Sequence, residues 1–189
     1  MHNQIDTSFQ TLQNDLFSSG MAAKIGMNAF GLWSAIKNYS NYNTGECWPG
    51  MRQLADLTGL SMGTVQKCIK ILLEGHLLRI VTGGAGVRAN RYVARERLDV
   101  RVGNRLLCTI VMDYVPARMR DRVALIEGDV RQGRLTGPSF AECEIIPGPG
   151  FAWDMEAGTL KASVSHDEIQ QSAVDKPCAI PSSVHLAAH

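Results

Sequence analysis

The sequence predicts an α+β protein in which a helical N-terminal part is followed by a β-hairpin and then by a small βαββ domain. Apolar residues recur at helical spacing up to about residue 74, where the spacing changes to that of strands. Glycine and proline residues occur where the spacing of the apolar residues changes. We therefore predict an N-terminal domain at residues 1–98, a βαββ domain at residues 99–165 and a flexible tail at residues 166–189, which shows little periodicity.

Two helices are expected before residue 45. Apolar residues that begin at Phe9 and end before Gly20 predict a short helix. Residues 28–42 then follow an amphipathic pattern, and Asn28 suits the N-terminal cap position. We expect this second helix to pack across the two helices that follow it. Its apolar face carries Ala29, Leu32, Trp33, Ile36 and Tyr39.

Residues 47–74 predict two short helices joined by a tight turn. The first helix ends at Gly59, because glycine readily takes the left-handed conformation after a helix. Ser61 follows a turn at residues 58–61 and can cap the second helix by accepting a hydrogen bond from a free amide. One face of the second helix carries Val65, Ile69 and Leu72, and the opposite face carries Gly63, Gln66, Lys67 and Lys70.

After Gly75 the pattern predicts a hairpin, with strands at residues 77–81 and 91–95 and a Gly-rich turn at residues 82–86. Three helices followed by a basic hairpin are the order of elements in a winged helix-turn-helix domain. The net charge of the chain is only +1, but the arginines between residues 79 and 105 face only Glu96 and Asp99 within that segment. We expect this segment to attract a phosphate backbone.

The βαββ domain is predicted from a β-branched strand after Arg105, a helix from Pro116 to Gly133, and strands at about residues 141–146 and 160–164. One helix can cover only one face of such a sheet, which leaves the other face for the first domain or for a partner. We predict homodimerisation through this domain. The helix carries an apolar stripe formed by Met119, Val123, Ile126 and Val130.

The segments CWP, LADLTGLS, TVQKCIKIL and GHLLRI follow an aromatic-rich helix in this order. With these motifs, residues 16–95 resemble the winged helix-turn-helix domains of plasmid and phage replication proteins and related transcriptional regulators. The resemblance implies sequence-specific binding of double-stranded DNA, in the control of transcription or in replication. Where similar domains have Trp-Pro-Ser, this chain has Trp48, Pro49 and Gly50, so a serine cap and its phosphate contact are missing.

In a helix-turn-helix the second helix enters the major groove with its N-terminal part toward the base edges. Gln66 can then pair with adenine, Lys67 can donate to guanine and Met62 can contact a thymine methyl group, while Gly63 lets the backbone approach closely. Contacts to the sugar–phosphate backbone are expected from Arg52, Ser61, Thr64 and Lys70. The wing residues Arg88 and Arg91 are expected to reach either a minor groove or the backbone.

Several classes of function are disfavoured. No apolar run approaches the length of a membrane span and no secretory signal is visible, so a cytoplasmic location is expected. The five cysteines are scattered, without a CxxC pair or a histidine at zinc-ligand spacing, so no metal site is expected. The sequence indicates neither a cofactor nor a small-molecule effector. The aromatic side chains predicted to pack in the interior are Trp33, Tyr39 and Trp48.

Two alternatives to DNA binding remain open. An enzyme would use TGGAGVR at residues 82–88 as a phosphate loop, but such loops precede a helix, whereas this one lies between two predicted strands. Asp154 and Glu156 are better explained by a hairpin turn. The other alternative is an adaptor, in which the winged domain contacts protein. Arg118 and Arg122 are expected on a solvated helix face.

Overall fold

The computed structural model describes residues 10–81, 90–154 and 156–163 of the 189-residue chain. The predicted Gly-rich turn, Arg88 and the predicted tail at residues 166–189 lie outside the described residues.

Most of the described chain before residue 75 is helical. The α-helices in the described residues are α1 (Asp15–Ser18), α2 (Met21–Ile25), α3 (Met27–Asn38), α4 (Met51–Thr58), α5 (Met62–Glu74) and α6 (Met119–Arg131). Helix α3 packs against both α4 and α5, as its apolar face predicts. The side chains at the centre of this packing are fully buried: Leu32, Trp33, Ile36, Leu54, Val65 and Leu72.

The chain before α3 differs from the prediction. The single short helix expected up to Gly20 is the four-residue α1, and the next helix, α2, was not predicted. Gly20 separates the two helices with a φ of 78°, a conformation that side chains other than glycine rarely adopt. Met21 and Ile25 of α2 are buried in the core, so this short helix closes one side of the helical part.

Helix α3 begins at Met27, so that Gly26 and not Asn28 is at its N-terminal cap position, and it ends at Asn38 rather than at residue 42. The Asn41 side-chain oxygen accepts hydrogen bonds from the backbone amides of Asn43, at 2.9 Å, and Thr44, at 3.1 Å. This turn satisfies amides that a longer helix would have used, because asparagine competes with helical hydrogen bonding.

The strands of the described residues are β1 (Glu46–Cys47), β2 (Leu78–Val81), β3 (Arg91–Val102), β4 (Arg105–Asp113), β5 (Cys143–Pro147), β6 (Phe151–Asp154) and β7 (Thr159–Ala162). The first five form one antiparallel sheet, and β6 and β7 pair only with each other. Strand β3 is the centre of the larger sheet, because β1 and β2 pair with its first residues and β4 pairs with the rest.

Strand β3 is longer than predicted. The strand expected at residues 91–95 continues to Val102, so the boundary expected between residues 98 and 99 falls inside it. Leu98 and Val100 pack against the core on one face of this extension, whereas Arg97 and Asp99 lie on the other face. The hairpin that follows α5 therefore continues directly into the second part of the sheet.

The predicted βαββ arrangement is not confirmed in detail. Strand β4, helix α6 and strand β5 follow in the expected order, and β5 pairs with β4. The last expected strand, β7, pairs with the unpredicted β6 instead of joining that sheet. The turn between them is formed by Asp154, whose carboxylate accepts hydrogen bonds from the amides of Glu156 and Ala157.

A buried ion pair joins the helical part to the sheet. Lys37 of α3 pairs with Glu96 of β3, and each side chain is only 1% exposed. The Lys37 ammonium also lies over the rings of Trp33 and Tyr114, with Nζ 4.2 Å and 4.1 Å from the two ring centroids. Burial lowers the pKa of Lys37 and raises the pKa of Glu96, because loss of water disfavours both charged forms.

Candidate nucleic-acid interface

The turn between α4 and α5 has the predicted caps. Helix α4 stops at Gly59, whose φ of 68° reverses the chain. Ser61 then caps α5, because its hydroxyl oxygen accepts a hydrogen bond from the Thr64 amide at 3.2 Å. Only Leu60 and Ser61 therefore lie between Gly59 and the first residue of α5. At the start of α4, Gly50 provides no side-chain cap, as its lack of a hydroxyl predicts.

Helix α5 has one buried face and one exposed face. Val65, Cys68, Ile69 and Leu72 are buried against the other helices. Met62 is 46% exposed, and the other exposed residues predicted to contact DNA from this helix and its cap are Ser61, Gly63, Gln66, Lys67 and Lys70. Thr64 is half-buried, and Arg52 is exposed near the start of α4. The predicted contact residues of α5 thus share one accessible face, and Arg52 is exposed on the preceding helix.

The hydroxyl groups of Ser61 and Thr64 are only partly free. Their oxygens lie 2.9 Å apart, so one hydroxyl donates to the other in addition to the amide contact. Because each hydroxyl has a single hydrogen, this pair keeps one hydrogen that can point outward. A single phosphate oxygen can therefore accept a hydrogen bond from the pair, whereas two separate contacts were expected.

The cations of this face differ in their partners. Within the described residues, Lys67 and Arg52 form no ion pair. Lys70 lies 3.8 Å from the Glu74 carboxylate, but both side chains are well exposed, and pairs of this kind are weak. Lys67 is thus the least compensated cation on the exposed face of α5.

The arginine-rich segment is more neutral than its sequence suggests. Arg79 and Arg95 both pair with Asp113 of β4, and Arg95 also pairs with Glu144 of β5. These acids lie outside the segment in which the charges were counted, so the expected basic surplus was overestimated. These acids come to lie beside the arginines only when the strands pair in the sheet.

Two further arginines of the strand serve internal contacts. Arg101 pairs with Asp99 at 2.9 Å, and Arg97 donates to the carbonyl oxygen of Gly75 at 2.7 Å. Arg91, predicted to contact DNA, lies 3.1 Å from the Glu46 carboxylate. The charge of Arg91 is therefore partly compensated before any ligand binds.

The prediction that Trp48 packs in the interior is wrong. Trp33 is fully buried and its indole nitrogen donates to the Arg95 carbonyl, and Tyr39 is half-buried. Trp48, in contrast, is 63% exposed between β1 and α4. The two-residue strand β1 is too short to reveal from sequence which of its neighbours point outward.

The residues considered for roles other than DNA binding contact other residues of the protein where the structure describes them. Asp154 forms the turn before β7 and pairs with Lys161, as the hairpin interpretation predicts. Arg118 and Arg122 both contact Glu142, but only Arg118 is solvated as predicted, because the Arg122 side chain is just 11% exposed. Burial raises the pKa of the Cys47 and Cys108 thiols to about 11, so both remain protonated near neutral pH. The loop at residues 82–88 lies outside the described residues.

Two further searches covered the part of the chain that the structure describes, one for groups of metal-ligand side chains and one for membrane-spanning helices. No group of three His, Cys, Asp or Glu side chains in residues 10–81, 90–154 and 156–163 is arranged to hold a metal ion. None of the helices in those ranges has the length and apolar character needed to cross a membrane.

The capped helix pair, with one buried and one exposed face on its second helix, defines a helix-turn-helix, which is a DNA-binding fold. Residues 23–74 accordingly match a family model described as a helix-turn-helix domain. The match covers α3, β1, α4 and α5 and ends before β2. No curated protein and no solved structure matches the chain significantly.

Proposed function

We propose that this protein binds double-stranded DNA sequence-specifically, and that it acts as a plasmid- or phage-type replication protein or as a transcriptional regulator in the cytoplasm. The observation that carries the proposal is the exposed face of α5, which presents Gln66 and Lys67 on a helix fixed by the Ser61 cap. Such a helix can place polar side chains against base edges in the major groove.

In this proposal, Gln66 reads adenine, Lys67 donates to guanine and Met62 contacts a thymine methyl group. Arg52, Lys70 and the outward hydrogen of the Ser61–Thr64 pair hold phosphates, while Gly63 leaves room for the backbone. The β2–β3 hairpin is the wing, from which Arg88 and Arg91 reach the DNA. Arg91 must then exchange its contact with Glu46 for a phosphate.

Selection of bound sequences from a random duplex pool tests the proposal directly. We expect a defined motif, which is palindromic if the protein binds as a dimer. The absence of any duplex shift by the purified protein at low salt would overturn the proposal.

Lys67→Ala then tests the reading of bases. We expect it to weaken binding to the selected motif by about 1 to 3 kcal/mol and to relax preference at one position, because a base contact is lost. Lys24→Ala is the matched control, since Lys24 is an exposed lysine on α2. Equal losses for the two variants would show that Lys67 contributes only charge. For the wing, Arg88→Ala is expected to lower the salt dependence of binding without changing the motif.

We propose that residues 1–98 and 99–165 are two functional parts of the chain. The second part is proposed to form a homodimer. Leu125 of α6 is 63% exposed, so it is the residue of this helix at which an apolar contact can be tested. Sedimentation at tens of micromolar protein tests it, and a monomer at that concentration would exclude the dimer. We expect Leu125→Glu to shift the equilibrium toward the monomer.

The adaptor function remains a second candidate because the arginines of β3 are neutralised by acids of the sheet. A surface with few free cations suits a protein partner better than it suits DNA. Crosslinking in cells separates the two functions. Recovery of DNA supports the first, and recovery of protein alone, with no duplex binding by the purified chain, supports the second.

A further inference from the structure

Trp48 has a large apolar side chain that is exposed to solvent in the folded protein. The residues on both sides of it are buried: Cys47 pairs with Tyr92 in the sheet, and Pro49 lies just before the start of α4. The backbone around Trp48 is therefore fixed at both ends. A partner that contacts the indole ring would not have to order this segment, which lowers the cost of binding.

The position of Trp48 adjoins the proposed interface. Because Cys47 lies opposite Tyr92 in the antiparallel pair, Trp48 follows at the level of Arg91, where β3 begins. Two residues later, Gly50 immediately precedes α4, and the exposed Arg52 lies in the first turn of that helix. Trp48 thus lies between the first turn of α4 and the start of β3, where β3 pairs with the last residue of β2.

We propose that Trp48 contacts the sugar–phosphate backbone of duplex DNA, with its ring against a deoxyribose and its Nε1–H donating to a phosphate oxygen. This inference rests on the proposed function and adds a contact that is neutral and independent of sequence. Within the described residues, Trp33 donates its indole N–H to the Arg95 carbonyl, whereas Trp48 has no such acceptor. The sugar–phosphate backbone presents an apolar sugar next to a charged phosphate. An indole suits it, because its apolar ring can contact the sugar while its free N–H donates to the phosphate.

The fixed backbone favours this contact over stacking on a base. In a helix-turn-helix the first helix of the pair crosses the DNA backbone while the second enters the groove. Trp48 lies just before the first helix, α4, and not on α5. Contacts made from this place position the protein on the duplex without reading its sequence.

The test compares Trp48→Ala with Tyr42→Ala in binding to a labelled duplex of about 20 base pairs, two helical turns, over a series of salt concentrations. Tyr42 is a matched control because it is 66% exposed and precedes β1, whereas Trp48 follows it. We expect Trp48→Ala to raise Kd about tenfold with an unchanged salt slope, because no cation is removed. Tyr42→Ala is expected to leave Kd unchanged.

The two proposals fail separately in this experiment. If the wild-type chain binds the duplex and Trp48→Ala binds equally well, the Trp48 contact is wrong and DNA binding stands. If the wild-type chain binds no duplex at low salt, the proposed function itself fails. A fall in the salt slope of Trp48→Ala would also overturn the contact proposed here, because a neutral side chain releases no counterions.

A second measurement excludes an effect of Trp48→Ala on folding alone. The chain has three tryptophans, so 5-fluorotryptophan labelling gives three fluorine resonances, and the one missing in Trp48→Phe belongs to Trp48. We expect saturating duplex to shift this resonance and to leave that of the buried Trp33 nearly unchanged. An unmoved Trp48 resonance would overturn the proposal. A larger shift with single-stranded DNA would also overturn it, because that result indicates base stacking.

Discussion

Helix α5 carries two cationic side chains and strand β3 carries four, and the structure gives the two sets different surroundings. On α5, Lys67 has no ion-pair partner in the described residues and Lys70 has a distant one. On β3, Arg95 and Arg101 each lie within 3 Å of a carboxylate. Cations that are free can bind phosphate, whereas cations that are already paired must first lose a partner.

The difference follows from the two kinds of secondary structure. A sheet brings strands that are distant in sequence side by side, so β4 and β5 deliver Asp113 and Glu144 to the arginines of β3. A helix places a cation beside residues three or four positions away, and among these Lys67 has no acid. The comparison therefore predicts that charges of the sheet support stability, while charges of α5 support binding.

The largest effect on stability is expected at the buried pair. Glu96→Gln leaves the Lys37 ammonium buried without a carboxylate, so we expect it to lower the free energy of unfolding by about 3 to 5 kcal/mol. Urea denaturation measures this. The double variant Lys37→Met and Glu96→Leu, which removes both charges, is expected to recover much of the loss. A loss of less than 1 kcal/mol, roughly that of an exposed pair, would contradict the structural role of this charge.

Arg97→Met tests whether a half-buried arginine of the sheet serves structure rather than DNA. Its guanidinium donates to the Gly75 carbonyl, just beyond the end of α5, and to the Thr109 hydroxyl. We expect a loss of about 2 kcal/mol in the free energy of unfolding, because the charged donor is removed from these acceptors. DNA affinity of the folded variant is expected to stay unchanged.

The matched control for Arg97→Met is Arg101→Met. Arg101 pairs with Asp99 but is 42% exposed, so its removal is expected to cost less than 1 kcal/mol. Equal losses for both variants, or a clear loss of DNA affinity for Arg97→Met, would remove the proposed distinction between the two regions.

Ser61 is expected to contribute both to the stability of α5 and to DNA binding. Ser61→Ala removes the cap of α5 and is expected to lower the free energy of unfolding by about 1 kcal/mol. Ser61→Asp separates the two roles, because aspartate keeps the cap but brings a negative charge toward phosphate. We expect Ser61→Asp to unfold at the same urea concentration as the wild type and to bind DNA more weakly. Unchanged DNA affinity in this variant would remove Ser61 from the interface.

The sequence was sufficient for α4, the turn and α5 because their signals are local. Gly59, Ser61 and the spacing of Val65 and Ile69 lie within a few residues of the elements that they determine. The same signals were sufficient to identify the exposed face of α5. Helix α2 was missed because its five residues are too few to show a periodic pattern.

The extent of β3 could not be predicted because Glu96 interrupts its alternation. Leu98 and Val100 continue the inward face, but an acid at an inward position indicates the end of a strand unless its partner is known. That partner, Lys37, lies on α3 and is 59 residues away. The neutralisation of Arg95 was missed for the same reason, since Glu144 is 49 residues away.

The smallest effect, and the finest test of the comparison, is expected at Lys70. Its contact with Glu74 is exposed and long, so Lys70→Ala is expected to change the free energy of unfolding by less than about 0.5 kcal/mol. If Lys70 holds a phosphate, the same variant lowers the salt slope of DNA binding by about 1, because one counterion fewer is released. Glu74→Ala leaves Lys70 without its partner and is expected to strengthen binding slightly. An unchanged salt slope of DNA binding in Lys70→Ala would show that even the weak Lys70–Glu74 pair keeps a cation from DNA. The contrast between helix and sheet would then apply to Lys67 but not to Lys70.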